Sequence, residues 1–199
     1  MKLYDRAARR YDPYHRIVTL ASDERGRRLV VEWGVRAGDR VLDAGGGTAS
    51  SALLAAERVG PSGHVTVVDL SRGMLEVGRA RAREAALDGR MTFLLADMLH
   101  LPFDDGAFDA VLSTYSLCPV YDPSAGALEL YRVTRPGGRL ACAHSAEPEG
   151  RFMGALARAV ERVIWKFPAL SLGCRAVSVL PTLEAAGAHR LQGRRIGVP

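Results

Sequence analysis

A short apolar run that passes directly into a glycine turn constrains the fold most. Residues 40–43 predict a strand, residues 51–59 predict a helix, and the turn between them contains Gly45, Gly46 and Gly47. Glycine tolerates positive φ and lets a ligand approach the backbone closely. A helix that begins after such a turn presents unpaired N–H groups and the positive end of its dipole. The turn therefore predicts a ligand-binding site at the end of a strand of an α/β sheet.

Apolar runs and helical stretches alternate along the chain after residue 38. Strands are predicted over residues 40–43, 64–68, 91–95, 108–113 and 139–143, and helices over residues 51–59, 72–87, 124–133 and 178–186. Ser71 is the expected N-cap of the second of these helices, and the turn at residues 135–138 is expected to end the third. A sixth strand is expected near residues 189–196. This alternation predicts an α/β, Rossmann-like, doubly wound, mostly parallel sheet of about six strands, with helices on both faces.

The 199 residues are expected to form one domain with three functional parts. Residues 1–33 contain two helical stretches and are expected to form an N-terminal helical lid. Residues 38–145 form the predicted cofactor-binding core, and residues 149–181 form an insert that caps the substrate. The insert is rich in large apolar side chains, which favours a lipophilic substrate or a membrane-facing lid. A helical core explains those side chains equally well.

Composition limits the classes of partner. Hydrophobic residues make up 48% of the chain, so it can bury a core, and no apolar run approaches the ~20 residues of a membrane span. The net charge of +5 comes almost entirely from arginine, interspersed with acidic residues, so no nucleic-acid partner is expected. Peripheral contact with anionic lipid stays open. Three widely spaced cysteines predict neither disulfides nor a metal site, and the polar N-terminus predicts a cytoplasmic location.

Asp69 supplies the second element of the predicted site. It ends the second strand, where an acidic side chain can accept hydrogen bonds from two ribose hydroxyls. Such a residue suits a nicotinamide dinucleotide and S-adenosylmethionine equally, and a helix N-cap alone would also explain it. The glycine turn lacks a full dinucleotide motif, because Ser50 stands three residues after Gly47.

The third element is Asp97, which ends the third strand and precedes a Leu-Pro-Phe stretch at residues 101–103. With the glycine turn and the Arg-Pro-Gly-Gly turn at residues 135–138, it resembles the class I methyltransferases. More narrowly, the chain is similar to the branch that contains ubiquinone/menaquinone-biosynthesis C-methyltransferases and bacterial phospholipid N-methyltransferases. The resemblance covers residues 4–145.

The resemblance implies that S-adenosyl-L-methionine is the cofactor and S-adenosyl-L-homocysteine the product. It assigns the methionine end to Asp43 and the three glycines, the ribose hydroxyls to Asp69, and one face of the adenine to Leu70. It places Asp97 and Met98 beside the adenine, and Ser113 and Thr114 facing the sulfonium. Further cofactor contacts are expected from Tyr11, Met74 and Ala96. Ala49 departs from the family, which usually has glycine there, and altered packing at the helix start is expected.

The catalytic candidates are His144, Tyr14 and His15. His144 follows the fifth strand, where α/β sheets place ligands, and it could accept a proton from an amine, thiol or enol acceptor. Tyr14 and His15 could close over the site from the N-terminal segment. An ordinary structural role would explain each of the three residues as well.

The favoured function is methyl transfer to a small lipophilic nucleophile, with a phospholipid headgroup amine such as that of phosphatidylethanolamine preferred. The alternatives are methylation of a quinone carbon or of a small thiol. A protein that binds S-adenosylmethionine without catalysis is the alternative from another class. A nicotinamide oxidoreductase is disfavoured, because the chain has neither a full dinucleotide loop nor a Tyr-x-x-x-Lys pair.

Overall fold

Helices and strands alternate along the chain. The structure, a computed structural model, describes residue 8, residues 22–144 and residues 177–194. In chain order, its main elements are α1 (Ser22–Gly34), β1 (Arg40–Ala44), α2 (Ser50–Val59), β2 (His64–Asp69), α3 (Arg72–Glu84), β3 (Met91–Leu95), β4 (Phe108–Thr114), α4 (Pro123–Val133), β5 (Thr134–Ala143) and α5 (Leu180–Ala185).

The strands form one sheet in the order β3-β2-β1-β4-β5, and every neighbouring pair is parallel. The predicted Rossmann-like sheet is therefore confirmed, with five strands in the described part of the chain. Residues 189–194, where a sixth strand was expected to begin, have no regular structure. Residues 195 and 196 lie outside the described ranges.

Two apolar cores lie on opposite faces of the sheet. Successive side chains of β1 alternate between them: Val41 packs with the valines of α1 and the alanines of α2, whereas Leu42 packs with α4 and α5. Both side chains are fully buried, and burying a side chain of this size stabilises a fold by about 1.5–3 kcal/mol. Helices therefore cover both faces, as the apolar strand sequences predict.

A side-chain cap explains where α3 begins, and a left-handed residue explains where it ends. Ser71 accepts a hydrogen bond from the Met74 N–H at 3.2 Å, which confirms its predicted role as N-cap. The helix stops at Glu84 rather than near residue 87, because Ala86 has a φ of 54° and the Leu87 N–H turns back to the Ala82 carbonyl. This left-handed closing turn ends the helical hydrogen bonding.

The fifth strand begins five residues earlier than the sequence predicts. Thr134 pairs with Phe108 of β4, and the next paired residue, Arg139, lies opposite Ala110. Residues 135–138 therefore bulge out of the ladder, and Gly137 takes a φ of 72° within them. The predicted turn is present, but as a bulge inside β5 rather than as a loop before it.

Candidate functional site

The predicted functional residues that the structure describes converge on one edge of the sheet. Because all five strands are parallel, their carboxyl ends lie together, and α/β sheets bind ligands there. Asp69 and Thr114 are the last residues of β2 and β4, while Asp97 and His144 follow β3 and β5. Asp43 lies one residue before the end of β1, at the centre of this edge.

The glycine turn crosses this edge with its backbone tightly packed. Gly45 and Gly47 have φ values of 69° and 55°, and the N–H groups of Gly45 and Gly46 donate to the Val68 carbonyl at 2.8 and 3.1 Å. A Cβ on Gly45 would collide with the Ser116 side chain, and one on Gly46 would lie 2.6 Å from the Val67 side chain. The turn therefore brings bare backbone to the start of α2, where a ligand can approach it.

Ala49 takes the left-handed conformation that glycine adopts more easily. It stands at the N-cap of α2 with φ 67° and ψ 24°, and its side chain offers no capping oxygen. That conformation costs an alanine about 1–2 kcal/mol. Altered packing was expected here, and the structure shows a strained backbone at the start of the helix.

Asp43 carries a fully buried carboxyl group at the centre of the site. Neither carboxylate oxygen has a hydrogen-bond partner among the described residues. Burial raises the pKa of Asp43 to about 7; the charge of Arg27 lowers this pKa and that of Asp69 raises it. A Cβ on Gly46 would lie 3.0 Å from Asp43 Oδ2, so the carboxyl group sits directly under the glycine turn. An unpartnered buried carboxylate is unfavourable unless a cation approaches it, which fits the cationic methionine end of S-adenosylmethionine.

Asp69 is fixed across the turn from Asp43. Its Oδ2 accepts from the Gly47 N–H at 2.9 Å and its Oδ1 from the Ser71 N–H at 2.8 Å. The next residue, Leu70, is 47% exposed. A carboxylate followed by an open apolar side chain suits a ribose followed by a flat base, as the resemblance implies.

The residues after β3 are more involved in packing than expected. Asp97 Oδ1 accepts from the Leu99 N–H at 2.9 Å, and the Ala96 N–H donates to the Asp69 carbonyl at 3.2 Å. Met98, expected beside the adenine, is almost entirely buried in the core on the α4 side. Met74 is also almost entirely buried, at the start of α3. Contact between these residues and the cofactor stays a prediction.

Hydroxyl groups tie the end of β4 to its neighbours. Ser113 Oγ lies 2.7 Å from Ser116 Oγ, which donates to the Ala44 carbonyl at 2.8 Å. Thr114 Oγ1 lies 2.8 Å from Ser51 Oγ in the first turn of α2. Ser113 and Thr114 were expected to face the sulfonium, and the structure shows them bonded to protein groups. Ser51 and Ser116, absent from the sequence prediction, complete this network.

Tyr115 and Arg27 add an aromatic ring and a cation to the same edge. Tyr115 has a φ of 55°, and its N–H donates to the Ala143 carbonyl at 2.7 Å. The Arg27 guanidinium lies 5.5 Å from the centre of the Tyr115 ring and pairs with Asp23 at 3.7 Å. Burial raises the pKa of Tyr115 to about 12, so its hydroxyl stays protonated. Arg27 was missed from sequence, where only the i, i+4 spacing from Asp23 marks it.

The N-terminal candidates lie outside the described residues. These candidates are Tyr11, Tyr14 and His15. Most of the proposed lid and residues 149–176 of the insert also lie outside the described residues. His144 is described: it is half-buried and directly follows β5. In the described ranges, no helix is long and apolar enough to cross a membrane. No group of three or more acidic, histidine or cysteine residues in those ranges could hold a metal ion.

Comparisons with known proteins place this site in context. The model of the ubiE/COQ5 methyltransferase family matches residues 1–164. The chain is 36% identical over 153 residues to a demethylmenaquinone methyltransferase of Symbiobacterium thermophilum, covering 76% of this chain and 61% of the relative. It is 34% identical over 153 residues to a Pseudomonas putida protein named ubiquinone/menaquinone biosynthesis C-methyltransferase UbiE, covering 76% and 60%.

The chain thus spans about three fifths of the length of these curated relatives. Among solved structures, the [4+2]-cyclase SpnF superposes with a TM-score of 0.66 at 29% identity, covering 84% of this chain and 58% of SpnF. A chain with this fold is therefore described as a cyclase, and the fold does not by itself establish the reaction.

Proposed function

Because the chain belongs to the ubiE/COQ5 methyltransferase family, we propose that it transfers a methyl group from S-adenosyl-L-methionine to a ring carbon of a quinone precursor. Family membership confirms S-adenosylmethionine as the cofactor expected from the sequence. The names of the relatives support a quinone carbon, which the sequence offered as an alternative. They give no support to the phospholipid amine that the sequence was taken to favour.

The observation that carries the proposal is the buried carboxyl group of Asp43 beneath the glycine turn, whose oxygens accept no hydrogen bond within the described ranges. The cofactor bears an ammonium and a sulfonium, and a buried carboxylate provides a counter-charge that water cannot screen. Gly45, Gly46 and Gly47 let the ligand reach the backbone, and the Asp69 carboxylate can accept hydrogen bonds from ribose hydroxyls. These five residues would hold the cofactor.

The cofactor supplies an activated methyl group, so the chain's own residues mainly position the acceptor in line with it. A ring carbon of a quinol becomes nucleophilic when a neighbouring hydroxyl loses its proton. His144, which directly follows β5, would take that proton. The ring carbon then attacks the methyl group as the S–CH3 bond breaks, and the hydrogen of that carbon leaves as a proton to solvent when the ring regains its aromaticity. The Tyr115 ring offers an aromatic surface to a flat acceptor, and the Arg27 cation favours an ionised oxygen on it.

Binding and transfer are best tested together. We expect calorimetry to show micromolar binding of S-adenosylhomocysteine, lost in Asp69→Ala, and no binding of a nicotinamide dinucleotide. With labelled S-adenosylmethionine, methyl transfer is expected to a demethylmenaquinol but not to phosphatidylethanolamine or an alkyl thiol. Transfer to one of the other two acceptors alone would contradict the quinone assignment. Tight cofactor binding without transfer to any of the three would favour a non-methylating protein of this fold.

A further inference from the structure

One arginine of α3 reaches across to the cofactor-binding turn. Arg81 Nη1 lies 2.8 Å from the Thr48 carbonyl, 3.2 Å from Thr48 Oγ1 and 2.9 Å from Ser50 Oγ. These acceptors belong to the residues on either side of Ala49. A single guanidinium group therefore bridges the residue whose backbone is left-handed.

Helix α3 packs against the turn closely enough to make this bridge short. A Cβ on Gly78 would lie 3.2 Å from the Ala49 Cβ, 3.4 Å from the Gly47 carbonyl and 2.9 Å from the Phe93 ring. Glycine at residue 78 thus lets the helix backbone approach the turn, one helical turn before Arg81. The approach fixes the distance that the Arg81 side chain has to span.

The bridge matters because Ala49 does not favour its own conformation. With glycine at residue 49, the left-handed backbone would be accessible at no steric cost. With alanine, the turn lowers its free energy when the φ and ψ of residue 49 relax toward right-handed values. That relaxation would move the Gly47 N–H away from Asp69 and change the N-terminus of α2. The hydrogen bonds from Arg81 oppose that relaxation, since charge-assisted hydrogen bonds are stronger than neutral ones.

We propose that Arg81 is a positioning residue that holds residues 48–50 in the conformation the cofactor requires, in compensation for the alanine at residue 49. Arg81 acts through the turn and not through contact with the cofactor or the acceptor. The effect on affinity rests on the proposed cofactor site, whereas the effect on the conformation of the turn does not.

A double-mutant cycle tests this coupling. Arg81→Gln is expected to weaken S-adenosylhomocysteine binding about tenfold, and Arg81→Lys, which keeps one cationic donor, less. Ala49→Gly is expected to bind at least as tightly as the parent. In the Ala49→Gly background, Arg81→Gln should cost only about two- to threefold, because glycine holds the turn without help. Equal losses in the two backgrounds, or no loss in either, would overturn the proposal.

Hydrogen exchange of the ligand-free protein separates this proposal from the proposed function. Amides of residues 47–53 are expected to exchange faster in Arg81→Gln and to regain their protection when Ala49→Gly is added. Arg83→Gln is the matched control, because Arg83 lies on the same helix and is exposed. Unchanged amide exchange at residues 47–53 in Arg81→Gln would contradict the positioning role, whatever ligand the protein binds. Failure of the parent to bind S-adenosylhomocysteine would sink the proposed function alone.

Discussion

At the scale of single residues, Asp43 has the least favourable environment in the site. Its carboxyl group is fully buried, lies under the glycine turn and has no hydrogen-bond partner among the described residues. Glu or Asp in such a place is usually paired or protonated. This makes its titration a direct probe of the site.

Replacing Asp43 with asparagine should change how stability depends on pH. Burial raises the pKa of Asp43 to about 7, against about 3.9 in an unfolded chain. Between these values the folded chain holds a proton that the unfolded chain releases, so the free energy of unfolding falls as the pH rises. We expect the ligand-free parent to lose stability relative to Asp43→Asn from about pH 4 to pH 7, with no further divergence above that range. Urea denaturation across this range measures the difference, and parallel stability curves would contradict the assigned environment.

The acid–base role of His144 is a second prediction at this scale. If His144 takes the proton of the acceptor, His144→Ala should lower the turnover at least about 100-fold and flatten its pH profile. The affinity for S-adenosylhomocysteine, measured by calorimetry, should change little. His144→Gln is the matched control, because it keeps a polar side chain that cannot act as a base. Unchanged turnover in both variants between about pH 6 and 9 would leave the histidine without an acid–base role.

Sequence predicted the convergence of those candidate residues whose chemistry is visible in their position along the chain. Asp43, Asp69 and the three glycines fall at strand ends and in a turn, where parallel topology alone brings them together. Arg27, Ser51 and Ser116 were missed, because their roles depend on contacts between elements far apart in sequence. Met98 shows the converse: it follows β3 as expected, but packing decides that it is buried.

At the scale of elements, a network of charges joins α4 to the loop after β3. Arg132 donates to both carboxylate oxygens of Glu129 at 2.7 Å, to Asp105 at 2.7 Å and to the Phe103 carbonyl at 2.9 Å. Glu129 in turn accepts from the Leu101 N–H at 2.8 Å. The loop that leads into β4 is therefore fixed to α4 at several points.

Removing this network should loosen the loop and destabilise the fold. Arg132→Met is expected to lower the free energy of unfolding by about 1–3 kcal/mol, because the acceptors on Glu129 and the loop would lose their hydrogen-bond donor. Hydrogen bonding to Arg132 holds the pKa of Glu129 below its usual value. The stability that ionised Glu129 contributes is fully present above the pKa of this residue in the unfolded chain. It is lost as the pH falls through the lower pKa of Glu129 in the folded chain. Glu129→Gln should therefore lessen the loss of stability in acid, and an unchanged acid transition would contradict this.

Element bounds were predictable where local sequence sets them and not where pairing does. The bounds of β3 match because apolar residues define them, and Ser71 and Asp122 cap their helices through their own side chains. The early start of β5 depends on Thr134 meeting Phe108 in another strand. No local pattern announces such a pairing, so the bulge at residues 135–138 was expected to be a loop.

At the scale of the whole molecule, the two ends of the sheet carry different kinds of residue. The amino end is held by charges: Asp109 accepts from the Arg40 N–H at 2.7 Å and from Arg135 Nε at 2.6 Å, and Arg139 pairs with Asp39 at 2.6 Å. The carboxyl end holds the glycine turn and the acidic residues of the site. The charged contacts that hold the sheet and the residues of the candidate site thus lie at opposite ends of the strands.

Asp109→Asn should accordingly reduce stability and leave the site intact. The N–H of Arg40, and then Arg135, hold the pKa of Asp109 below its usual value, so the ionised form is the one that stabilises the fold. We expect a loss of about 1 kcal/mol near neutral pH, seen as a lower midpoint in urea. The affinity for S-adenosylhomocysteine should match that of the parent. A change in affinity comparable to that of Asp69→Ala would show that the two ends are coupled.

The strand order has a consequence for folding during translation. The central strand, β1, pairs with β2 on one side and with β4 on the other, and Ala110 follows its partner Val41 by 69 positions. During translation at about 5–20 residues per second, one edge of β1 therefore stays open for several seconds after β2 has emerged. Open strand edges are sites of aggregation. We expect substitutions that delay docking of β4 to reduce the soluble yield of newly made protein more than they reduce the stability of purified protein.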